Sequence, residues 1–477
     1  MGDGRGGWCG GQAARCGDGC LTAFPAGQTE ESRKTGSEAC NRRAAVIDSI
    51  TLLGSSSGRN AGDAALIAGL MAAVDEMCGR RILYEIPTIR PSYIREHYPN
   101  RTHPVSMMPW HLSLKMLGLP TWRSMMRTDL ALLFDAILFD RDLFNPLFNF
   151  MSSLYVMLPP VKRHGKILGC YDIGVGPVST RPGRHMLKKL LELMDFVTVR
   201  DRASLRIMQE LGVRNNRVLL GADAALDVCP APAEVVERVI AEKGLNGERP
   251  LLAVNINRYF DSWAVGPRHL GAKVLDIYAE GLSRALQEIG TDVAFVCTQH
   301  MDVEVTRRLM SMVRLPGKGA LLSNQDYDHY VIKGILGRAD MVCAMRLHCA
   351  IMAAGELTPV VALEYQPKLA HFMETLELSE YCLSFSRFSE EALARLILEG
   401  WRNRKEIRKT LQRLVPGLKR RSRVPAVLVA SLDRGDDVDT ALAVARRYIE
   451  DETRGPGLRD APSDQELRKG ESPAAGC

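Results

Sequence analysis

The chain has 477 residues, enough for two or three domains with cores of their own, and its 46% apolar and 25% charged residues are ordinary for a globular protein. The formal net charge of +6 is a mild excess that suggests anionic ligands, and we expect no nucleic-acid partner. We find neither a basic and apolar leader nor a charge-free apolar run of about twenty residues, so we expect no signal peptide and no membrane-spanning helix.

The cysteines indicate the redox environment. There are twelve of them, and four fall in the polar N-terminal stretch, where no His/Cys spacing matches a zinc site. Others, such as Cys170, Cys297, Cys343 and Cys349, lie in apolar runs that favour buried reduced thiols. We therefore expect a cytoplasmic protein, with peripheral contact at the inner face of the membrane as an added option. No cluster of metal ligands is evident, and we expect no metal.

The first half of the chain alternates strand and helix patterns. Residues 1–45 are rich in Gly, Ala and charge, and we expect a disordered tail there. The alternation begins at residue 47 and favours a parallel sheet covered by helices, which we assign to an N-terminal α/β domain over 46–235. The predicted strands are Ile50–Leu53, Ile82–Ile86, Ala136–Phe139, Ile167–Tyr171, Phe196–Val199 and Val218–Leu220, and the clearest helical patterns are Met186–Met194 and Ala203–Leu211.

The alternation stops at Cys229-Pro230-Ala231-Pro232 and then restarts, which indicates a second α/β domain over 245–395. A helical segment over 396–450 and a disordered tail over 451–477 complete the prediction. The strands of this half are Leu251–Ile256, Val293–Cys297, Ala320–Leu322, Met341–Ala344 and Val360–Leu363. The helical patterns are Leu270–Ile289, Val303–Val313, Tyr330–Leu336, His348–Gly355, Glu390–Leu414 and Thr440–Ile449.

The predicted fold class is thus α/β, with two Rossmann-like domains and an interdomain cleft. Open α/β sheets bind ligands at the carboxyl ends of their strands, so informative residues should directly follow strands. The first such stretch is SSSGRNAGD over 55–63, where Asn60, Gly62 and Asp63 precede an apolar helical run. It could be a tight turn, a helix cap with Asp63 as the capping residue, or an anion pocket at a helix N-terminus. It is neither a Walker loop nor a good G-x-G-x-x-G fingerprint.

Two further stretches follow predicted strands. The turn YDIGVGP places Gly174 and Gly176 after the strand at 167–171, and it reads equally well as a structural loop or as part of a ligand site. The stretch VNINR ends in Asn257 and Arg258, and an arginine fork suits a carboxylate or phosphate as well as a structural ion pair. Arg200, which follows the predicted strand Phe196–Val199, could pair with an acid or face the cleft.

The most informative stretch is AMRLHC, which follows the strand Met341–Ala344. In an extended segment Arg346 and His348 would point to the same side, into the cleft. A structural histidine is the competing interpretation. Lys368 opens the helix after the next strand, where its charge opposes the helix dipole, and this placement indicates a ligand role.

Residues 402–423 read RNRKEIRKTLQRLVPGLKRRSR, a strongly basic segment with a single acid. Its simplest interpretation is a solvated helix face. The alternative is attraction to anionic lipid headgroups or to a polyanionic acceptor.

Taken together, GRNAGD, YDIGVGP, VTVRD and MRLHCAIMAAGELTPVVALEYQPK occur in an order that resembles the polysaccharide pyruvyl transferase family, over about Ile50 to Leu378. The Arg-Leu-His block with its downstream Tyr-x-x-Lys is the most specific part. Two positions depart from the family pattern. Phe139–Phe144 stands where the family carries a glycine-rich stretch, and Asp172 stands where a glutamine is common, which leaves the identity of the acceptor open.

The resemblance implies a fold like that of GT-B glycosyltransferases and transfer of pyruvate carbons from phosphoenolpyruvate onto two hydroxyls of one sugar, as a cyclic ketal. It implies a donor substrate without any cofactor, a glycan or lipid-linked saccharide acceptor, and an acceptor side in the N-terminal domain. Arg346 and His348 match the family's donor-site residues, Arg258 matches another donor-site arginine, and Lys368 matches the downstream lysine. On this basis His348 and Arg346 are the expected catalytic residues.

Two rival functions stay open at this point. A nucleotide-sugar glycosyltransferase shares the architecture and would need a carboxylate for the donor ribose, for which Glu364 is a candidate. A membrane-surface binding protein without enzymatic activity would use the basic segment 402–423.

Overall fold

The computed structural model describes residues 47–106, 118–145, 149–245, 247–258 and 270–453, with backbone only at 270–272 and 452–453. All of them belong to one unit of the chain, Ala44–Cys477. The tail predicted at 1–45 lies outside the described residues, and so does the tail predicted at 451–477 beyond residue 453.

A parallel sheet of seven strands organises the first half, in the order β3-β2-β1-β4-β5-β6-β7. Continuous apolar runs such as LALLF in β4, buried at every position, form strands that helices cover on both faces. The strands are β1 (Ser49–Leu53), β2 (Leu83–Thr88), β3 (Thr102–Ser106), β4 (Leu130–Phe134), β5 (Ile167–Ile173), β6 (Phe196–Val199) and β7 (Val218–Leu220). The helices are α1 (Ala61–Cys78), α2 (Pro91–His97), α3 (Leu119–Arg127), α4 (Met151–Arg163), α5 (Arg181–Leu193), α6 (Arg202–Glu210) and α7 (Ala233–Glu242).

The second half repeats this plan around a parallel sheet of six strands, in the order β10-β9-β8-β11-β12-β13. The strands are β8 (Leu251–Val254), β9 (Asp292–Cys297), β10 (Gly319–Ser323), β11 (Met341–Ala344), β12 (Val360–Glu364) and β13 (Cys382–Ser384). The helices are α8 (Leu270–Ile289), α9 (Val303–Met312), α10 (His329–Arg338), α11 (Leu347–Gly355), α12 (Pro367–Thr375), α13 (Glu390–Arg402), α14 (Arg404–Arg421), α15 (Val424–Asp433) and α16 (Val438–Thr453).

The strand orders fix where a ligand can bind. In the first sheet the connections reverse direction between β1 and β4, and in the second sheet they reverse between β8 and β11. The loops that leave neighbouring strands at such a point turn to opposite faces of the sheet and open a crevice at the carboxyl ends. Residues after β1, β4, β8 and β11 are therefore those the topology brings to a site.

Helix α1 joins the two halves. It is apolar around most of its circumference, and its residues are buried on nearly all sides, as expected for a helix enclosed by protein. It contacts α10 and α11 of the second half and also α15, which returns from the C-terminal region to the first half. Where α15 ends against the first half, the backbone N–H of Ile47 donates to Asp433 Oδ1 at 2.9 Å. The C-terminal helices therefore tie both halves together.

One expected strand is wrong, two strands were missed, and one helical pattern is divided. The strand expected at Ala136–Phe139 lies earlier, as β4, and Leu138 forms only an isolated bridge with Val175. The edge strands β3 and β13 gave no signal, because β3 has a single buried residue and β13 has three half-buried residues. The pattern at Glu390–Leu414 is two helices, which part at Asn403. Among the helices of the described residues, none is both long and apolar enough to cross a bilayer.

Candidate active site

The loop after β1 is attached to the second half of the molecule. Asn60 forms an isolated antiparallel bridge with Gln299, the N–H of Ala61 donates to the carbonyl of Thr298 at 2.7 Å, and the N–H of His300 donates to the carbonyl of Arg59 at 3.0 Å. The stretch SSSGRNAGD is therefore more than a turn, because it brings the N-terminus of α1 to the carboxyl end of β9.

Asn60 rather than Asp63 caps α1. Its side-chain oxygen accepts from the N–H of Gly62 at 3.0 Å, and its amide nitrogen donates to Asp63 Oδ1 at 2.7 Å. Because that hydrogen bond fixes Asp63, the carboxyl group lies 3.6 Å from His348 Nδ1, across the boundary between the halves. The expectation that Asp63 caps the helix is wrong.

Gly62 allows α1 and α11 to approach each other. A β-carbon at this position would lie 2.1 Å from the β-carbon of His348, a distance that real atoms do not adopt. Gly62 is thus required by packing against the candidate catalytic histidine, whatever it does for a ligand.

Arg346 is held by a buried carboxylate. Its Nη2 donates to Asp302 Oδ1 at 2.8 Å and its Nε donates to Oδ2, while Asp302 is fully buried. The same Oδ1 accepts from the backbone N–H of Arg258 at 2.9 Å, and Asn255 Oδ1 accepts from the N–H of Arg346 at 2.9 Å. Asp302 therefore organises both segments that carry the candidate donor-site arginines.

The extended geometry predicted for Arg346 to His348 is wrong beyond Arg346. Arg346 is the extended N-cap residue of α11, with φ −94° and ψ 135°, and Leu347 and His348 are already helical. Both side chains nevertheless lie near Asp63, whose charge acts on the pKa of each of them. The tertiary packing, rather than a shared strand face, brings them together.

His348 lies between two carboxylates. Its Nδ1 is 3.6 Å from Asp63 and its Nε2 is 3.5 Å from Asp223, which also accepts a hydrogen bond from Arg200 Nη1 at 2.8 Å. Burial alone would lower the pKa of His348, but the neighbouring Asp223, and then the charge of Asp63, outweigh it and raise that pKa. The pKa of Asp223 is lowered, because His348 and Arg200 together outweigh its burial. This arrangement favours a charged imidazolium.

The glycines of the YDIGVGP turn have separate positions. A β-carbon on Gly174 would lie 2.8 Å from Arg200 Nη2, so Gly174 makes room for the arginine that holds Asp223. Gly176 lies further along the turn, at φ +83°, and its N–H donates to the carbonyl of Leu138 at 2.9 Å. Of the two, Gly174 directly adjoins the charged cluster.

A second acid faces Asp63. Asp135 directly follows β4, and the ligand atoms of Asp63, Asp135 and His348 lie within 4.8 Å of one another. Burial, and then the charge of Asp135, raise the pKa of Asp63 to about 7. By distance alone the three groups could also hold a divalent cation, so the expectation that no metal is needed stays a prediction. Since Lys368 and Arg346 already act as cations on Asp63, we interpret the three groups as a proton-sharing set.

Lys368 completes the cluster from the start of α12. It is exposed, and it lines an open cavity between the halves together with Arg200, Asp223 and Leu347. Partial removal of water by the surrounding protein, and then the charge of Arg200, lower its pKa to about 8, although Asp135 and Asp63 oppose the shift. A lysine in this state carries a charge near neutral pH that a bound anion would stabilise.

The remaining predicted residues lie beside this cluster. Asn257 is fully buried, and it hydrogen-bonds to Tyr365, which neighbours Arg346. Arg258 is exposed, and its side-chain role stays a prediction. Sequence reasoning missed Asp135, Asp223 and Asp302. Each follows a strand of a parallel sheet, and that position was the signal that could have identified them.

Comparison with known proteins extends these observations. The profile of the polysaccharide pyruvyl transferase family matches residues 60–367. Comparison with curated proteins gave no match.

Solved structures resemble the chain in fold. A protein proposed to be a UDP-N-acetylglucosamine 2-epimerase from Listeria monocytogenes is 13% identical with a TM-score of 0.55, over 82% of this chain and 98% of that chain. MnaA from S. aureus with UDP is 10% identical with a TM-score of 0.55, over 81% and 97%. HepE from Anabaena with UDP-glucose is 12% identical with a TM-score of 0.50, over 84% and 99%. The predicted GT-B-like architecture of two Rossmann-like domains is confirmed.

Proposed function

The chain belongs to the polysaccharide pyruvyl transferase family, and on that premise we propose that it transfers the pyruvyl group of phosphoenolpyruvate onto two hydroxyls of one sugar. The products are a cyclic pyruvate ketal and phosphate. The proposed acceptor is a cell-surface or exopolysaccharide precursor, either a free glycan or a lipid-linked saccharide. The donor is a substrate, and the proposal requires no cofactor.

One observation carries this proposal. His348 lies between Asp223 and Asp63, which favour its imidazolium form, and the guanidinium of Arg346 and the ammonium of Lys368 act with it on the same Asp63. Phosphoenolpyruvate carries a carboxylate and a phosphate, so such a group of cations suits it. Each charge-assisted hydrogen bond contributes about 1.5–3 kcal/mol.

The proposed roles follow from chemistry. Arg346, Arg258 and Lys368 bind the anionic groups of the donor, while Asn60, Gly62, Asn257, Gly174 and Gly176 shape the surrounding loops. Protonation of the methylene carbon makes the next carbon electrophilic, one sugar hydroxyl attacks it, and the second hydroxyl displaces phosphate to close the ketal. His348 supplies a proton, either to the methylene carbon or to the departing phosphate. A general acid contributes about 10²- to 10⁴-fold in rate.

The alternative function is nucleotide-sugar glycosyl transfer. HepE and MnaA were solved with UDP-glucose and UDP, and this chain shares their fold. Glu364 ends β12 beside the site and could bind a donor ribose. The proposed cytoplasmic location is supported by Cys170, Cys343 and Cys349, which are buried and form no disulfide.

Product analysis separates the two functions. Purified protein is incubated with labelled phosphoenolpyruvate and an extract of the host's glycan precursors, and in parallel with UDP-glucose and the same extract. We expect phosphate release and an acid-labile carboxyethylidene adduct by mass spectrometry. Release of UDP without release of phosphate would establish the alternative in its place.

Peripheral contact with an anionic membrane through 402–423 is a second, separate proposal. Exposed cations on α14, among them Lys405, Arg408 and Lys409, support it. Several cations of the segment have carboxylate partners within the fold, since Lys409 Nζ lies 2.8 Å from Glu406 Oε1, Arg423 Nε donates to Asp227 at 2.5 Å and Arg402 lies 3.6 Å from Glu288. The available charge for lipid headgroups is therefore smaller than the sequence indicates.

A further inference from the structure

A carboxyl group lies where the proposed donor would bind. Asp63 belongs to the same cluster as Arg346, His348 and Lys368, and all three act on its charge. An ionised carboxylate in this place would repel both anionic groups of phosphoenolpyruvate, and the repulsion would be strong in a site with little water. A protonated carboxyl would not repel them, and it could donate a hydrogen bond or a proton.

The geometry around Asp63 favours the protonated form. Its side chain is only 17% exposed, and its ligand atom lies within 4.8 Å of those of Asp135 and His348. A carboxylate at such a separation from Asp63, in a site with little water, disfavours its ionisation, so Asp63 retains its proton more readily. Burial and Asp135 hold the pKa of Asp63 at about 7, which suits a group that must both give and accept a proton. The charged groups facing it are Asp135 from the end of β4, His348 from α11, Lys368 from α12 and Arg346 before α11.

The same geometry shows which atom is available. Asn60 Nδ2 donates a hydrogen bond to Oδ1 of Asp63 at 2.7 Å and fixes the carboxyl plane. Oδ2 is then the oxygen without a described hydrogen bond. Asp135 is held as well, because its Oδ1 accepts from the N–H of Ala136 at 2.6 Å. Asp63 is thus oriented by its own helix cap, as a proton-transfer group requires.

We propose that Asp63 is a second acid–base residue of the site, which transfers the protons of the addition half-reaction, while His348 transfers those of the phosphate-release half-reaction. This inference rests on the proposed function. It assigns one titratable group to each half-reaction, in place of a single histidine for both half-reactions.

Protons are conserved in each half-reaction. In the addition, Asp63 gives its proton to the methylene carbon, the first sugar oxygen forms a bond to the adjacent carbon, and the proton of that hydroxyl returns to Asp63. In the release, the bond from that carbon to the phosphate oxygen breaks as the second sugar oxygen bonds to the carbon. The imidazolium of His348 gives its proton to the leaving phosphate and then takes the proton of the second hydroxyl.

Hydrogen exchange in D₂O distinguishes the two half-reactions. The extract on which the wild-type chain forms ketal serves as acceptor, and deuterium in the methylene group of recovered phosphoenolpyruvate reports reversible addition. We expect His348→Gln to keep this exchange within about tenfold of wild type while phosphate release is lost. We expect Asp63→Asn to lose both by at least about 100-fold. Calorimetry should show that Asp63→Asn still binds phosphoenolpyruvate at least as tightly as wild type, because asparagine is neutral like the protonated carboxyl and has no ionised form that repels the donor.

Asparagine at 63 can still accept the hydrogen bond from Asn60, so the variant should fold, and circular dichroism checks this. Asp439→Asn is the control, since Asp439 also lies in the first turn of a helix, is exposed, and is paired with half-buried Arg217 away from the site. Exchange that persists in Asp63→Asn, or that is lost in His348→Gln, would overturn the assignment while leaving pyruvyl transfer intact. Loss of wild-type activity in EDTA with recovery on added Mg²⁺ would overturn it in favour of a metal at the same groups. Failure of the wild-type chain to release phosphate would instead refute the proposed function.

Discussion

Asp302 positions Arg346 although it lies outside the cleft that a ligand would enter. It is fully buried, binds two nitrogens of the guanidinium, and accepts from the N–H of Arg258. Removing one partner of a buried ion pair leaves the other charge uncompensated, which costs about 3–5 kcal/mol. The position of the arginine, and hence donor binding, should depend on this carboxylate.

We therefore expect Asp302→Asn to lower the free energy of unfolding by about 3 kcal/mol and to weaken phosphoenolpyruvate binding at least tenfold. Denaturant unfolding and calorimetry measure the two quantities. Asp326→Asn, on an exposed aspartate nearby in the chain, is the control and should change neither. Unchanged donor binding in Asp302→Asn would separate Arg346 from the donor site.

Asp223 sets the protonation of His348. Its carboxylate lies 3.5 Å from Nε2 and raises the pKa of His348, so imidazolium persists above the ordinary value and is lost as pH rises through the raised pKa. If His348 acts as an acid, turnover should fall along that same alkaline limb. Asp223→Asn should move the alkaline limb of kcat to lower pH, as a pH–rate profile would show. Asp201→Asn is the control, because Asp201 lies 3.7 Å from Arg200 and has no described contact with His348. An unmoved limb in Asp223→Asn would show that another group titrates.

At the scale of elements, the contact between α1 and α11 positions the site. A β-carbon at Gly62 would overlap the β-carbon of His348, so Gly62→Ala must push the two helix starts apart. We expect a loss of about 1–3 kcal/mol of stability, together with a large loss of turnover. In the background of His348→Gly the overlapping atom is gone, and Gly62→Ala should then cost much less stability. Equal costs in both backgrounds, measured by thermal unfolding, would contradict this packing.

The basic helix α14 permits a direct test of membrane contact. We expect replacement of Lys405, Arg408 and Lys409 by Glu to reduce co-sedimentation with anionic vesicles while turnover on a soluble acceptor is retained. A control of equal charge change replaces Arg307, Arg308 and Lys318, which lie elsewhere on the second half. If both triple variants bind vesicles equally, the segment is a solvated helix face.

At the scale of the whole molecule, the two halves also meet at a buried histidine. Tyr93 Oη of the first half lies 3.2 Å from Nδ1 of His329 in the second, and Tyr98 and Tyr330 pack beside that imidazole. Burial, and then the charge of His97, lower the pKa of His329 to about 3. The neutral ring is therefore the form that the packed halves accept.

Because this pKa is depressed in the folded state, the contribution of His329 to stability is present above about pH 6.5 and is lost as pH falls from there toward 3. The slope approaches about 1.4 kcal/mol per pH unit for one group. His329→Gln should flatten the acid side of the stability curve, as denaturant unfolding between pH 7 and pH 4 would show. His371→Gln, in α12 and outside this aromatic cluster, is the control. An unchanged acid slope in His329→Gln would assign the acid sensitivity to other groups.

The sequence by itself determined the alternation of strands and helices and the α/β class with two Rossmann-like domains, and it predicted Arg346, His348 and Lys368 for one site. These features depend on local apolar periodicity and on the rule that ligands bind where parallel strands end, both of which are visible along the chain. Only the tertiary structure decided which acidic side chains lie next to the cationic residues. Asp223 and Asp302 are separated in sequence from Arg200 and Arg346, to which they bond within one half, and packing of the two halves then brings Asp63, Asp135 and Asp223 to His348. Edge strands such as β3 could not be predicted from the sequence, because a strand with a single buried residue has no alternating apolar pattern.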